Sequence, residues 1–162
     1  MRVSVPVPVR WGDLDAYGHV NNVAVFGLLE EARIAAFWRH PGAAEQEWPT
    51  AILDAGPGAG TVTVVARQEV EYLAPIEHRR DPVLVELWIG DLGGASIEVC
   101  YEITGGDATG SGGPGRVVFV QAATTLVLLD AATGRPRRVS PQERAVWSRY
   151  VEPGIRWRRR DR

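Results

Sequence analysis

The chain has 162 residues, 45% of them hydrophobic and 23% charged, with a formal net charge of −2 at pH 7. This is the length of one domain built on a single core, and the near-neutral balance excludes a nucleic-acid or membrane surface spread over the whole molecule. All 18 basic residues are arginine, and a sole cysteine, Cys100, rules out an internal disulfide. No apolar run reaches the roughly 18 residues of a membrane span. The N-terminal MRVSVPVPVR lacks the continuous apolar stretch of a signal peptide, so a cytoplasmic location is expected.

Val3, Val5, Val7 and Val9 alternate with Ser4, Pro6, Pro8 and Arg10, the period of a strand. Its two prolines confine it to a sheet margin. A polar loop follows, RWGDLDAYGHVNN, in which Asp13, Asp15, Tyr17, His19, Asn21 and Asn22 crowd together just ahead of a helical pattern. From Val23 to Trp38 apolar or small residues occupy most faces, interrupted mainly by Glu30, Glu31 and Arg33. Such a pattern predicts a helix wrapped by other structure, ended by Arg39, His40, Pro41 and Gly42.

Residues 43 to 60 read as a connector closed by GPGAG, and β-structure takes over from there to about residue 139. The run from Val62 to Ala74 alternates and is stopped by Pro75. Val83–Ile89 and Ile97–Ile103 then pair as a hairpin around GDLGG. GGDATGSGGPG at 105 to 115 reads as a flexible hairpin tip, and Val117 to Leu129 as the last strand. Ser140-Pro141-Gln142-Glu143 has the form of a capped helix start, with proline at the first helical position. The expectation is one α+β domain over residues 1–152, an antiparallel sheet curled around a long central helix, followed by a mobile Arg-rich tail at 153–162. Open sheet edges call for a partner subunit.

The chemistry concentrates in the 10–22 loop. A helix N-terminus offers backbone N–H groups without intrahelical acceptors and the positive end of the dipole. A carboxylate just upstream can activate water, or attack directly, while one such N–H binds the oxygen of a carbonyl. Asp13 reads as structural, bonded to loop amides or Arg10, and His19 as orienting rather than acidic. Asn21 and Asn22 read as turn and cap residues able to touch substrate. Glu30 or Glu31 within the helix is the alternative base, although pairing with Arg33 is the plainer account. His19, His40 and His78 are too dispersed for a metal site. Neither glycine-rich segment carries the G-K-[ST] ending that grips phosphate, so no cofactor is implied. Arg79 and Arg80, on the turn after Pro75, are candidate nucleotide contacts, whereas the arginines of the tail read as a solvated terminus, with a phosphate or nucleic-acid contact the alternative.

The block RWGDLDAYGHVNN with LLEEAR downstream closely resembles the 4-hydroxybenzoyl-CoA thioesterase-like family of the hotdog-fold superfamily. VEYLAPI at 70–76, DPVLVELWI and LLDAATGRPRRVSP agree in order. The resemblance implies a five- or six-stranded antiparallel sheet around the helix, and dimers or tetramers with sites built by two subunits. It implies hydrolysis of an acyl-CoA or acyl-carrier-protein thioester. Asp15 would be the base or nucleophile and the backbone N–H of Asn22 the oxyanion donor. Tyr17, His19, Asn21, Val25, Phe26 and Tyr72 are the expected substrate contacts. Relatives often carry aromatic residues where this chain has Val25 and Leu28, so acyl preference does not transfer. A dehydratase or hydratase on the same fold, with His19 and an acid, and a non-catalytic acyl-thioester binding module are the competing readings.

Overall fold

Alternation governs the sheet. The computed structural model describes residues 1–40, 42–43, 45–105 and 116–158, and these form β1 (Val3–Val7), α1 (Asn22–Phe37), β2 (Thr61–Tyr72), β3 (Val83–Leu92), β4 (Ser96–Gly105), β5 (Val117–Asp130) and α2 (Pro141–Trp147). All the pairings between these strands are antiparallel, in the order β1-β3-β4-β5-β2. The fold is therefore α+β, with few helices. The proposed hairpin tip at 105–115 lies outside the described residues except for Gly105.

Val3, Val5 and Val7 meet Val83, Val85 and Leu87 in register, and Ile97, Val99, Tyr101 and Ile103 continue the same buried face. Val120, Ala122, Leu126 and Leu128 of β5 complete it. One face of α1 closes this core: Val25, Leu28, Leu29, Ala32, Ala36 and Phe37 are buried, and the helix packs on β1 and β3. Pro6 sits in β1 at the sheet margin, where its missing N–H costs no central ladder bond.

Within the single chain α1 is covered on one side only. Val23 is 71% exposed and Ile34 47%, so the expected all-round wrapping is not supplied by this chain's own sheet. The opposite margin is equally open. β2 pairs only with β5 and leaves Val62, Val64 and Val65 exposed. Alternation alone cannot reveal this, because Val62–Tyr72 alternates as a half-buried strand does.

The C-terminal helix follows its sequence signature. Ser140 and Glu143 form a reciprocal capping box, and Arg137 grips the Glu143 carboxylate at 2.5 and 2.8 Å. Trp147 is fully buried against Phe37 and donates to the Thr50 carbonyl.

Residues 153–158 begin the Arg-rich tail. They cross the face of the sheet opposite the core. Trp88 Nε1 of β3 donates to the Pro153 carbonyl at 2.9 Å, Gln121 of β5 to that of Arg156 at 3.3 Å, and the Arg158 N–H donates to Glu71 of β2 at 3.2 Å. Gly90 permits the close approach: a Cβ there would meet Cys100 Sγ at 2.6 Å and the Gly154 backbone at 3.3 Å. Charge and arginine content suggest a solvated end, but these polar anchors come from three different strands, a coincidence no local pattern announces. Residues 159–162 lie outside the described residues.

Candidate active site

Asp13 builds the loop. It is buried, accepts from the Arg10 backbone N–H at 2.7 Å and from its guanidinium at 3.0 and 3.3 Å, and its own carbonyl receives the Asn21 N–H at 2.8 Å. The bonds from Arg10 hold the Asp13 carboxyl below the usual aspartate range, although burial opposes them. Both ends of the loop are thereby pinned, and Asp13 has the structural role its position suggested.

Asp15 closes a tight turn on itself. Its Oδ1 accepts from the backbone N–H groups of Tyr17 at 2.8 Å and His19 at 3.1 Å, while its own N–H donates to the His19 carbonyl at 2.8 Å. The chain reverses at Gly18, whose φ of +77° lies in the region where a side chain is strained. Among the described residues Asp15 Oδ2 has no partner, so one oxygen orients the group and the other carries no bond from the protein.

The helix begins immediately after. Asn21 is its N-cap: the side chain accepts from the Val23 N–H at 2.8 Å and the carbonyl from that of Val25 at 3.1 Å. That cap satisfies Val23 and skips Asn22. Among the described residues no acceptor meets the Asn22 N–H, which leaves it open at the positive end of α1. Tyr72, at the end of β2, donates its hydroxyl to the Asn22 carbonyl at 3.1 Å and so ties the sheet edge to the helix start. Burial raises the Tyr72 phenol above its ordinary range, which keeps it a donor.

These groups share a cleft of about 410 Å³. Asp15, His19, Asn22, Val25 and Tyr72 line it with Val20, Leu73, Ala74, Pro75, Ile76 and Val120. Its far wall is the turn after β2, anchored by the Val20 N–H donating to the Ile76 carbonyl at 2.7 Å. Three residues expected at the site are not among these walls. Tyr17 is 85% exposed, Asn21 is spent on its capping bond, and Phe26 sits half-buried on another side of α1. Conversely, sequence reasoning misses the turn from Leu73 to Ile76 as site-forming, because Pro75 marks it only as a strand end.

A larger cleft, about 620 Å³, lies at the other end of α1, walled by Ile34, Trp38, Trp48, Val65 and Leu126. It adjoins the helix C-terminus, where carbonyls rather than amides are exposed, so it has no open helix-terminal N–H like that of Asn22. Glu30 and Glu31 line that cleft and not the one at Asp15. Among the described residues no three His, Cys, Asp or Glu side chains gather as metal ligands, and no helix is long and apolar enough to cross a membrane.

The family model of the thioesterase-like superfamily matches residues 9–146. Among solved structures, the PA2801 protein of Pseudomonas aeruginosa is 31% identical, with 88% of this chain and 95% of that one covered and a TM-score of 0.64. A thioesterase of Thermus thermophilus, solved with coenzyme A and zinc, is 30% identical over 91% of this chain and 92% of that one, also at a TM-score of 0.64. The PA5185 protein of P. aeruginosa shares the fold at 20% identity, covering 94% of each chain with a TM-score of 0.70. No curated protein gives a significant match.

Proposed function

Because this chain belongs to the thioesterase-like superfamily, we propose that its Asp15 cleft hydrolyses acyl thioesters, with the Asn22 N–H as oxyanion donor. The observation that carries this reading is the pairing of an oriented carboxylate and an unoccupied helix-terminal amide on the walls of one cleft. Asp15 removes a proton from water as the water oxygen bonds to the thioester carbon, or attacks that carbon itself to give an acyl-Asp15 anhydride that water then hydrolyses to the free acid and the restored carboxylate. The carbonyl oxygen gains charge and is held by the Asn22 N–H, one well-placed donor contributing about 3 kcal/mol to lowering the barrier. Collapse breaks the carbon–sulfur bond and expels a thiolate, a leaving group that needs no acid. His19, whose backbone is locked to Asp15 and bridged to Glu77, then serves as a wall and support.

The same reading extends to architecture. A hotdog fold closes on α1 when a second copy covers the exposed β2 edge and the Val23–Ile34 side of the helix, which accounts for the open apolar residues at Val62, Val64 and Val65. A homodimer or homotetramer is therefore expected.

The test is release of free thiol from a panel of acyl-CoA thioesters, aliphatic and aromatic. Turnover with acid and thiol in equal amounts supports the hydrolase. Loss of water from a 3-hydroxyacyl thioester without free thiol would make the protein a dehydratase. Tight binding without any product would make it a carrier.

A further inference from the structure

We propose that the cleft at the C-terminal end of α1 is a second binding site, separate from the Asp15 cleft, which takes a free monocarboxylic acid with an apolar body and seats its carboxylate on the guanidinium of Arg33. The proposal stands apart from the thioesterase reading, under which such an acid is of the class of the product.

Arg33 is a wall of this cleft and only 4% exposed, and a cation so enclosed is costly unless it is paired and fully hydrogen-bonded. Its partners fall short of that. Nη1 donates to the hydroxyl of Tyr101 at 3.3 Å, a neutral group. Nη2 reaches Glu30 at 3.4 Å, but that carboxylate is 60% exposed, so the pair is loose and screened by water. Nε is buried and, among the described residues, has no partner. Turning the Glu30 side chain into solvent uncovers Nε and Nη2 together, the edge of a guanidinium that takes a carboxylate in two parallel bonds. Arg39, the other arginine of these walls, already holds Asp54 at 3.1 Å.

The other walls decide the class of ligand. A volume of about 620 Å³ lies within the range of small-molecule sites, and Ile34, Trp38, Trp48, Val65 and Leu126 surround the cation with apolar surface. One charge inside an apolar chamber fits an amphiphile with a single anionic end. Glu31 and Glu47 also line the cleft and are exposed, so they repel a ligand that carries several negative charges. The free acid is thereby favoured over a thioester that bears a nucleotide. The cleft shares no wall residue with the one at Asp15. A second copy over Ile34 and the β2 edge would enclose the chamber further.

Decanoate is the probe, with 1-decanol as its uncharged counterpart. Calorimetry on the intact protein should show decanoate binding about tenfold or more tighter than 1-decanol. Tryptophan fluorescence should change on binding, because Trp38 and Trp48 are walls of the site. Arg33→Met should weaken decanoate by about tenfold or more and leave 1-decanol unchanged. Glu30→Gln, at an exposed position that spares the fold, should tighten decanoate by about two- to fivefold, because the competing carboxylate is gone. Asp15→Asn should leave decanoate binding unchanged. No binding, equal binding of acid and alcohol, a Glu30→Gln variant that binds no tighter, or a response to Asp15→Asn in place of Arg33→Met would overturn the proposal. Decanoate binding without cleavage of any acyl-CoA would instead refute the hydrolase and leave this site standing.

Discussion

Replacing Asp15 by asparagine separates its two jobs. Oδ1 accepts two backbone N–H bonds, from Tyr17 at 2.8 Å and His19 at 3.1 Å, and an asparagine oxygen can accept both. The loop should therefore survive, and with it the helix start. What disappears is the basic oxygen, and a lost general base costs about 10²- to 10⁴-fold in rate, or roughly 3–5 kcal/mol of barrier. Asp15→Ala removes the turn bonds as well; at about 0.5–1.5 kcal/mol each they sum to about 1–3 kcal/mol of stability. For a chain of this length that lowers Tm by roughly 2–12 °C. Thiol release on a responsive acyl-CoA and a thermal melt on each variant make the comparison. Asparagine should lower turnover by about 10²-fold or more with Tm unchanged, and alanine should lower both. Wild-type turnover in Asp15→Asn, or a large drop in its Tm, would remove Asp15 from the chemistry and leave it a loop residue.

Tyr72→Phe deletes the bond to the Asn22 carbonyl; because Tyr72 is half exposed the melt should move little, while kcat falls about 2- to 10-fold as the oxyanion donor loses its anchor. An unaltered kcat would mean the tie is incidental. Burial works to raise the Glu143 carboxyl, but hydrogen bonds from Arg137 and the Ser140 N–H outweigh it and hold the group below its ordinary range. Its contribution is thus fully present above the unfolded value, about pH 4.3, and lost as pH falls through the lower folded one. Glu143→Gln should accordingly destabilise by about 1–3 kcal/mol at pH 7 and by progressively less toward pH 3; a difference that does not vary with pH would contradict the ion-pair account. Burial pushes the Cys100 thiol up to about 12. It should stay silent toward a disulfide reagent until denaturant is added, and prompt stoichiometric reaction of the native protein would disprove its enclosure.

Much of the fold is legible in the sequence because it rests on local rules. The alternation of Val83–Ile89 and Ile97–Ile103, the Ser140–Glu143 capping box and the apolar run of α1 each specify one element. The site is legible where chemistry and backbone coincide. Asp15 and Asn22 are set by a turn and a helix start, and Tyr72 by a strand end. Tyr17 and Asn21 are harder, since spacing in a loop says nothing about where a side chain aims; one points to solvent and the other folds back onto Val23. The open face of β2 and the anchored 153–158 segment are illegible for a related reason. Both are settled by what lies across the sheet, information that no stretch of neighbouring residues contains.

That anchored segment has a practical consequence. Gly154 lies against Gly90, whose Cβ position faces Cys100 Sγ, so this end of the chain covers its one thiol. Shortening the chain to residue 152 would turn an inert sulfur into an oxidisable one on an otherwise intact sheet. A fusion partner or purification tag is safer at the other terminus only if it spares the pairing of the Met1 ammonium with Glu152, which fastens the start of the chain to the beginning of that same lid.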